Sequence, residues 1–260
     1  STLAWGLGYF GMPHILLRFM AIEDENKLTL SRRIASVWVV ISMFVAILIG
    51  IIGYSASVAG SVPMLSTSSQ SETIIIQLSG LLGQNGFLLS IIAGIVLAGI
   101  LASTMSTADS QLLTAASGIS QNLLQDFLKI KMDTKTSMRA ARLTVIGIAL
   151  VAVVLAWNPD SSVFPIVSFA WAGFGASFGP VMLFALFWKR SNLPGAIAGM
   201  VAGGVMVFVW KYGIKPMGGI WGIYELLPAF LVACAAIIIV SLATAAPSKE
   251  ICDKFNSIGK

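Results

Sequence analysis

Phe87–Thr107 reads FLLSIIAGIVLAGILASTMST, an apolar run without a single charge that ends in a cluster of hydroxyls. A helix crosses the hydrocarbon core of a bilayer with roughly 20 mostly apolar residues, so this stretch predicts a membrane-spanning helix. Six others satisfy the same rule, giving seven expected spans over 2–17, 34–59, 87–107, 140–157, 163–188, 194–212 and 221–245. Hydrophobic residues make up 57% of the chain and charged residues 10%, with a mean hydropathy of +0.90. An ordinary soluble domain carries about 25% charge, and too little polar surface remains here to cover a core in water. The expected fold class is therefore all-α, a polytopic membrane protein.

The placement of charge supports this count. Arg18, Lys27, Arg32 and Arg33 follow the first span, and Lys129, Lys131, Lys135, Arg139 and Arg142 follow the third. Lys189 and Arg190 follow the fifth, and Lys249, Lys254 and Lys260 occupy the tail. If the spans alternate, all of these fall on one side, and only Lys211 and Lys215 fall on the other. The positive-inside bias places the 246–260 tail in the cytoplasm, with the plasma membrane as the expected location. The net charge of +5 is thus a topology signal, and no nucleic-acid partner is expected. Cys234 and Cys252 have neither metal-ligand spacing nor an obvious pairing. A start at Ser1, already inside an apolar segment, is what a fragment would show.

Residues 60–86 form a long connection in which Glu72–Leu82 has the apolar spacing of a short surface helix. Helical patterning continues past the third span through Gln111–Ile130. Gly195, Gly199 and Gly203, and likewise Gly175 and Gly179, recur every fourth residue, a spacing that lets helix backbones approach closely in lipid.

Two places accept a cost that lipid would normally forbid. In the first, Ser103, Ser106, Thr107 and Ser110 fall at i, i+3, i+4 and i+7 and share one helix face. The hydroxyls of Ser106 and Thr107, with a backbone carbonyl near Ser103, would offer uncharged oxygens to a dehydrated monovalent cation. The same hydroxyls would equally serve by bonding back to their own helix. Asp109 flanks the stripe, either tuning an ion pathway or sitting in water at the helix end.

The second place is the opening stretch, Trp5-Gly6-Leu7-Gly8-Tyr9-Phe10-Gly11-Met12-Pro13-His14. Its glycines and proline interrupt a helix. A broken helix at membrane depth is tolerated only inside protein or beside a water-filled cavity, and transporters build substrate sites there. Trp5 and Tyr9, one turn apart, would form an aromatic wall for a small solute. His14 suits packing or capping better than metal binding. Gly6-x-Gly8-x-x-Gly11 matches a dinucleotide fingerprint without the strand and βαβ unit that would give it meaning.

LAWGLGYFGMPHI (Leu3–Ile15), ILASTMSTADSQLL (Ile100–Leu113), FAWAGFGASFGP (Phe169–Pro180) and GAIAGM (Gly195–Met200) together resemble the sodium/solute symporter family, above all its bacterial sodium/proline branch. The resemblance implies a LeuT-type fold of two inverted five-helix repeats. Residues 1–188 would then be the second repeat, beginning with its broken first helix, and 189–245 two peripheral transmembrane helices ahead of the tail. It implies sodium-coupled symport of a small solute, L-proline above all, with pantothenate or an osmolyte as the alternative cargo. It places Trp5, Tyr9 and Pro13 at substrate, Ser106 and Thr107 as the sodium-ligating hydroxyl pair, and Ser103 as a main-chain carbonyl ligand. The remaining ligands would come from the amino-terminal half of the same protein, so this chain alone is not expected to transport. A channel would need a longer polar lining than the third span offers, and an enzyme would need a nucleophile–base pair or metal ligands.

Overall fold

In the computed structural model, residues 2–158 and 162–258 are described, and among them the chain is helical with no strand. The helices are α1 (Thr2–Gly8), α2 (Pro13–Met20), α3 (Lys27–Val58), α4 (Ser68–Ser71), α5 (Ile74–Gly83) and α6 (Phe87–Ser117). They continue with α7 (Thr134–Leu155), α8 (Val163–Phe187), α9 (Leu193–Phe208), α10 (Leu226–Ala243) and α11 (Lys249–Ile258). Among the described residues six segments, α3, α6, α7, α8, α9 and α10 with the turns that extend α6 and α9, are long and apolar enough to cross a membrane. The expected first span is two short helices with a break between them. The chain is an all-α polytopic membrane protein.

Its residues form two compact units, one of Ser1–Ala21 with Phe164–Lys260 and the other of Ile22–Val163. In the second unit α3 is apolar and almost entirely exposed, with only Gly53 and Ser57 buried. A helix apolar around its circumference with so little of it covered is built for lipid or for other membrane helices. The expected surface helix is α5. Ile74 at its start fills the notch at Gly53, where an added Cβ would come within 2.1 Å of the Ile74 side chain.

Helical winding passes through the end of α6 into a wider π-type turn, Gly118–Phe127, so the expected continuation towards Ile130 is present with a change of pitch. Asp133 then caps α7, its carboxylate accepting from the Thr136 amide. Hydrogen bonds from Thr136 hold that carboxyl below its ordinary range. At the other end of this unit the Glu72 carboxylate accepts from the Ser162 hydroxyl and, at 2.9 Å, from the Val163 amide. An anion thus meets the unsatisfied donors where a helix begins, although ninety residues separate it from them in sequence.

The first unit is packed on small residues. Ala172, Ala176, Val207, Leu226 and Ala229 form its buried centre. Pro180, inside α8, cannot donate to the carbonyl of Ala176. Gly203 of α9 comes so close to that carbonyl that a Cβ would sit 2.3 Å from the oxygen. Gly199 and Gly195 approach Ile237 and Ser241 of α10 in the same way. The glycine spacing seen in sequence is therefore a set of helix contacts, as membrane packing requires.

Between α9 and α10 the chain turns through Gly218 and Gly219, at φ of 75° and 59°, a region in which a side chain is strained. That turn explains why α10 begins at Leu226 and not at 221. Lys211 and Lys215, the two residues outside the positive-inside pattern, are both engaged here. Lys211 lies 3.7 Å from the Phe169 ring centroid, and Lys215 pairs at 2.8 Å with Glu225, whose side chain is 3% exposed. Replacing Lys215 with Met would leave a buried carboxylate unpaired, a change costing about 2–3 kcal/mol, less than for a fully buried pair because the lysine is partly solvated. Thermal unfolding in detergent is expected to show Lys215→Met falling well below the double variant Lys215→Met/Glu225→Gln.

Candidate functional site

The break in the opening segment is a single extended residue. Helix α1 tightens into a 3-10 turn over Tyr9–Gly11, Met12 adopts φ −84° and ψ 111°, and Pro13 starts α2 at its first position. Proline suits that position because its missing N–H is one the helix start cannot use. The Met12 carbonyl accepts from the amides of Ile15 and Leu16, both at 3.0 Å. Met12 itself is 4% exposed, so the interruption is held inside protein, where unpaired backbone is tolerated.

The glycines of this segment explain its closeness to α8. A Cβ on Gly8 would run into the Trp171 indole, and one on Gly11 would meet the Phe174 carbonyl at 2.4 Å and Gly175 Cα at 2.9 Å. A Cβ on Gly175 would in turn come within 2.7 Å of Gly8 Cα. Gly8, Gly11 and Gly175 thus form a glycine-on-glycine contact between the broken helix and α8.

That contact assembles an aromatic cluster. The Trp5 ring lies 5.4 Å from Trp171, 5.7 Å from Phe164 and 6.3 Å from Tyr224. Tyr9 meets Trp171 edge-on at 4.9 Å, and these separations are those of favourable aromatic pairs. The Trp171 indole N–H donates to the Trp5 carbonyl at 3.1 Å, tying the first turn of α1 to α8. Tyr224 donates its hydroxyl to the Ser168 carbonyl.

Trp5 is half-buried among three rings, whereas Tyr9 keeps 53% of its surface open. The structure therefore brings Trp5 and Tyr9 together through Trp171, with Tyr9 presenting the freer face. Pro13 lies beyond the break, partly buried, at the start of α2. His14 follows it in the first turn of α2. Trp171, Phe164 and Tyr224 are absent from the sequence-based site. Trp171 and Phe164 lie in α8, where every position is apolar or small, so no periodic signal marks them, and Tyr224 stands in the short connection ahead of α10.

Trp171→Phe keeps an aromatic ring on Trp5 and Tyr9 but removes the N–H to the Trp5 carbonyl. The expected cost is about 1 kcal/mol, the net worth of one hydrogen bond. Thermal unfolding in detergent should show that loss for Trp171→Phe and a larger one for Trp171→Ala, which also removes the ring.

The hydroxyl face lies on α6, in the other unit. Ser103, Ser106 and Thr107 are all exposed there. The Thr107 hydroxyl donates to the Ser103 carbonyl at 3.2 Å, and Ser110 donates to the Ser106 carbonyl at 3.0 Å. Thr104 and Thr114 bond back to Ile100 and Ser110 in the same way. The back-bonding read as one alternative in the sequence is therefore present. It does not use up the oxygens. A hydroxyl that gives its proton to a carbonyl keeps its own lone pairs, and if the Thr107 hydroxyl turns away, the Ser103 carbonyl has one lone pair beyond its helix bond for an ion. Thr107 Oγ1 and Ser103 O thus form an uncharged oxygen pair on the exposed face. Asp109, also exposed, lies beside it.

A family model described as the sodium:solute symporter family matches residues 1–203. The chain is 40% identical over 257 residues to the high-affinity proline transporter PutP of Bacillus subtilis (strain 168), an overlap of 98% of this chain and 51% of that protein. It is 40% identical over 260 residues to the sodium/proline symporter of Haemophilus influenzae, covering 100% of this chain and 51% of the relative. Identity to the sodium/proline symporter of Escherichia coli (strain K12) is 39% over 260 residues, 98% of this chain and 49% of the relative. The chain spans about half the length of these curated relatives. No solved structure matches it. With the family model extending over most of its length, from the broken opening helix into the glycine-packed α9, the chain belongs to the sodium:solute symporter family.

Proposed function

We propose that this chain is the carboxy-terminal part of a sodium-coupled symporter that carries a small solute, L-proline, by alternating access. The observation that supports it most is the interrupted helix at Met12–Pro13, held against α8 with Tyr9 half-open beside Trp171. Proline is a compact, largely apolar ring with a carboxylate and a secondary amine. An aromatic face suits the ring, and half-helix ends at a break suit charged groups. In this reading Trp5, Tyr9 and Pro13 border the substrate.

Sodium is the co-transported substrate, taken by Ser106, Thr107 and the Ser103 carbonyl. Hydroxyl and carbonyl oxygens favour a hard alkali ion and compensate for its lost hydration without adding a buried anion. The amino-terminal half of the same protein supplies the remaining oxygens. Residues 1–188 act as the second five-helix repeat of a LeuT-type core, 189–245 as peripheral helices, and the 246–260 tail lies in the cytoplasm of a plasma-membrane protein, as the basic loops favour.

Bound sodium would join α6 to the missing helix and favour the substrate-binding arrangement of the broken segment. Reciprocity then requires that proline raise sodium affinity by the same factor. Uptake of labelled proline into vesicles containing the complete protein tests this reading. An inward sodium gradient should drive accumulation that potassium cannot replace and that excess unlabelled proline abolishes. Uptake indifferent to sodium would overturn the coupling. Competition by pantothenate or by an osmolyte, with none by proline, would overturn the cargo.

A further inference from the structure

We propose that α11 lies flat in the membrane interface, with its Ile251 and Phe255 side chains at the acyl boundary and two lysines at headgroup level. At about 100° per residue, Ile251, Phe255 and Cys252 share one arc of the helix. Lys254 and Lys249 flank that arc on its two sides, each roughly 60° from its edge. Both acidic residues, Glu250 and Asp253, fall on the opposite side. Lys254 and Glu250 form an exposed pair at 2.9 Å. An apolar stripe bordered by lysines, with the acids turned away, is the arrangement that an amphipathic helix at a lipid surface requires. Ile251 is 57% exposed.

The occupant of this face follows from where the helix is tied. Membrane helix α10 ends at Ala243. Just beyond, Arg190 donates to the Thr244 carbonyl at 2.7 Å and to the Ala245 carbonyl at 3.4 Å. Asn192 donates to the Ala245 carbonyl at 2.7 Å and to the Thr244 hydroxyl at 2.8 Å. The turn between α8 and α9 therefore clamps the chain at the end of a membrane helix. Four residues further on α11 begins, so its start lies at most about 14 Å from the clamp. An amphipathic helix held that close to a bilayer has lipid within reach of its apolar side, whichever leaflet it is on.

A depth scan of the complete protein in vesicles of phosphatidylethanolamine and phosphatidylglycerol tests this. In a Cys234→Ser/Cys252→Ser background, single cysteines placed in turn at Glu250, Ile251, Asp253, Lys254, Phe255 and Ser257 are spin-labelled. Accessibility to oxygen, which concentrates in lipid, is compared with that to a water-soluble nickel chelate. The ratio should favour oxygen at Ile251 and Phe255 and invert at Glu250, Asp253 and Ser257. Adding Phe255→Asp should shift the label at Ile251 into water. Nickel accessibility at every position would overturn the proposal. So would labels at Ile251 and Phe255 shielded from both reagents, which would mean that protein covers the face.

Discussion

Thr107→Val in the complete protein is expected to raise the sodium concentration that half-saturates proline uptake by about tenfold, because one oxygen bound to a cation is worth about 1.5 kcal/mol. Valine keeps the branched shape of threonine and leaves the packing of α6 intact. What it removes is the hydroxyl that donates to the Ser103 carbonyl at 3.2 Å. The loss is of one ligand oxygen, since the Ser103 carbonyl stays in place and is relieved of a competing donor. Thr107→Ser restores the hydroxyl and should restore sodium dependence to near the parent value. A merely structural role would separate the variants differently, with serine as harmful as valine. Because the two substrates are linked, proline half-saturation at fixed low sodium should rise with Thr107→Val and recover when sodium is raised.

Gly11→Ala is expected to cost more than any other single added methyl group in the opening segment. Its Cβ would meet the Phe174 carbonyl at 2.4 Å, Gly175 Cα at 2.9 Å and the Gly179 amide nitrogen at 2.9 Å. All three are backbone atoms of one helix, so no side chain can rotate away, and α1 and α8 must separate. Overpacking of this kind costs about 1–3 kcal/mol, and the upper end applies where only backbone can move. Separation would also pull Trp5 and Tyr9 from Trp171, so transport should fall together with thermal stability. Gly6→Ala is the internal comparison, since a Cβ there meets nothing within 4 Å in this chain. It should leave the melting temperature nearly unchanged while gaining a little helix propensity.

The spans were legible because a bilayer asks a simple question of sequence: enough consecutive apolar residues to cross it. Phe87–Thr107 answers it without ambiguity, and α6 starts at the expected Phe87. The interruption at Met12 was legible for a related reason, since glycines and a proline cannot continue a helix at low cost. What gave no sequence signal was the partner of each feature. Trp171 stands in a segment where almost every residue is apolar, so nothing sets it apart until Gly8 and Gly11 bring α1 against it. Glu72 caps Ser162 and Val163 across a long stretch of chain, and neither end carries a local signature. On α6 the i, i+4 spacing was visible, and the Thr107–Ser103 bond follows from it. Spacing alone is the same for a hydroxyl that only bonds back and for one that also offers its lone pairs to an ion. The pitch change after Ser117 was likewise invisible, because its apolar pattern fits either winding.

The most direct measurement is equilibrium binding of labelled proline to the purified complete protein, titrated with sodium at constant ionic strength, and the converse titration of labelled sodium with proline. Proline affinity should rise with sodium, sodium affinity should rise with proline by an equal factor, and Thr107→Val should reduce both. Proline bound equally well in sodium and in potassium, with Thr107→Val unaltered, would contradict the assignment of the α6 hydroxyl face as the ion site.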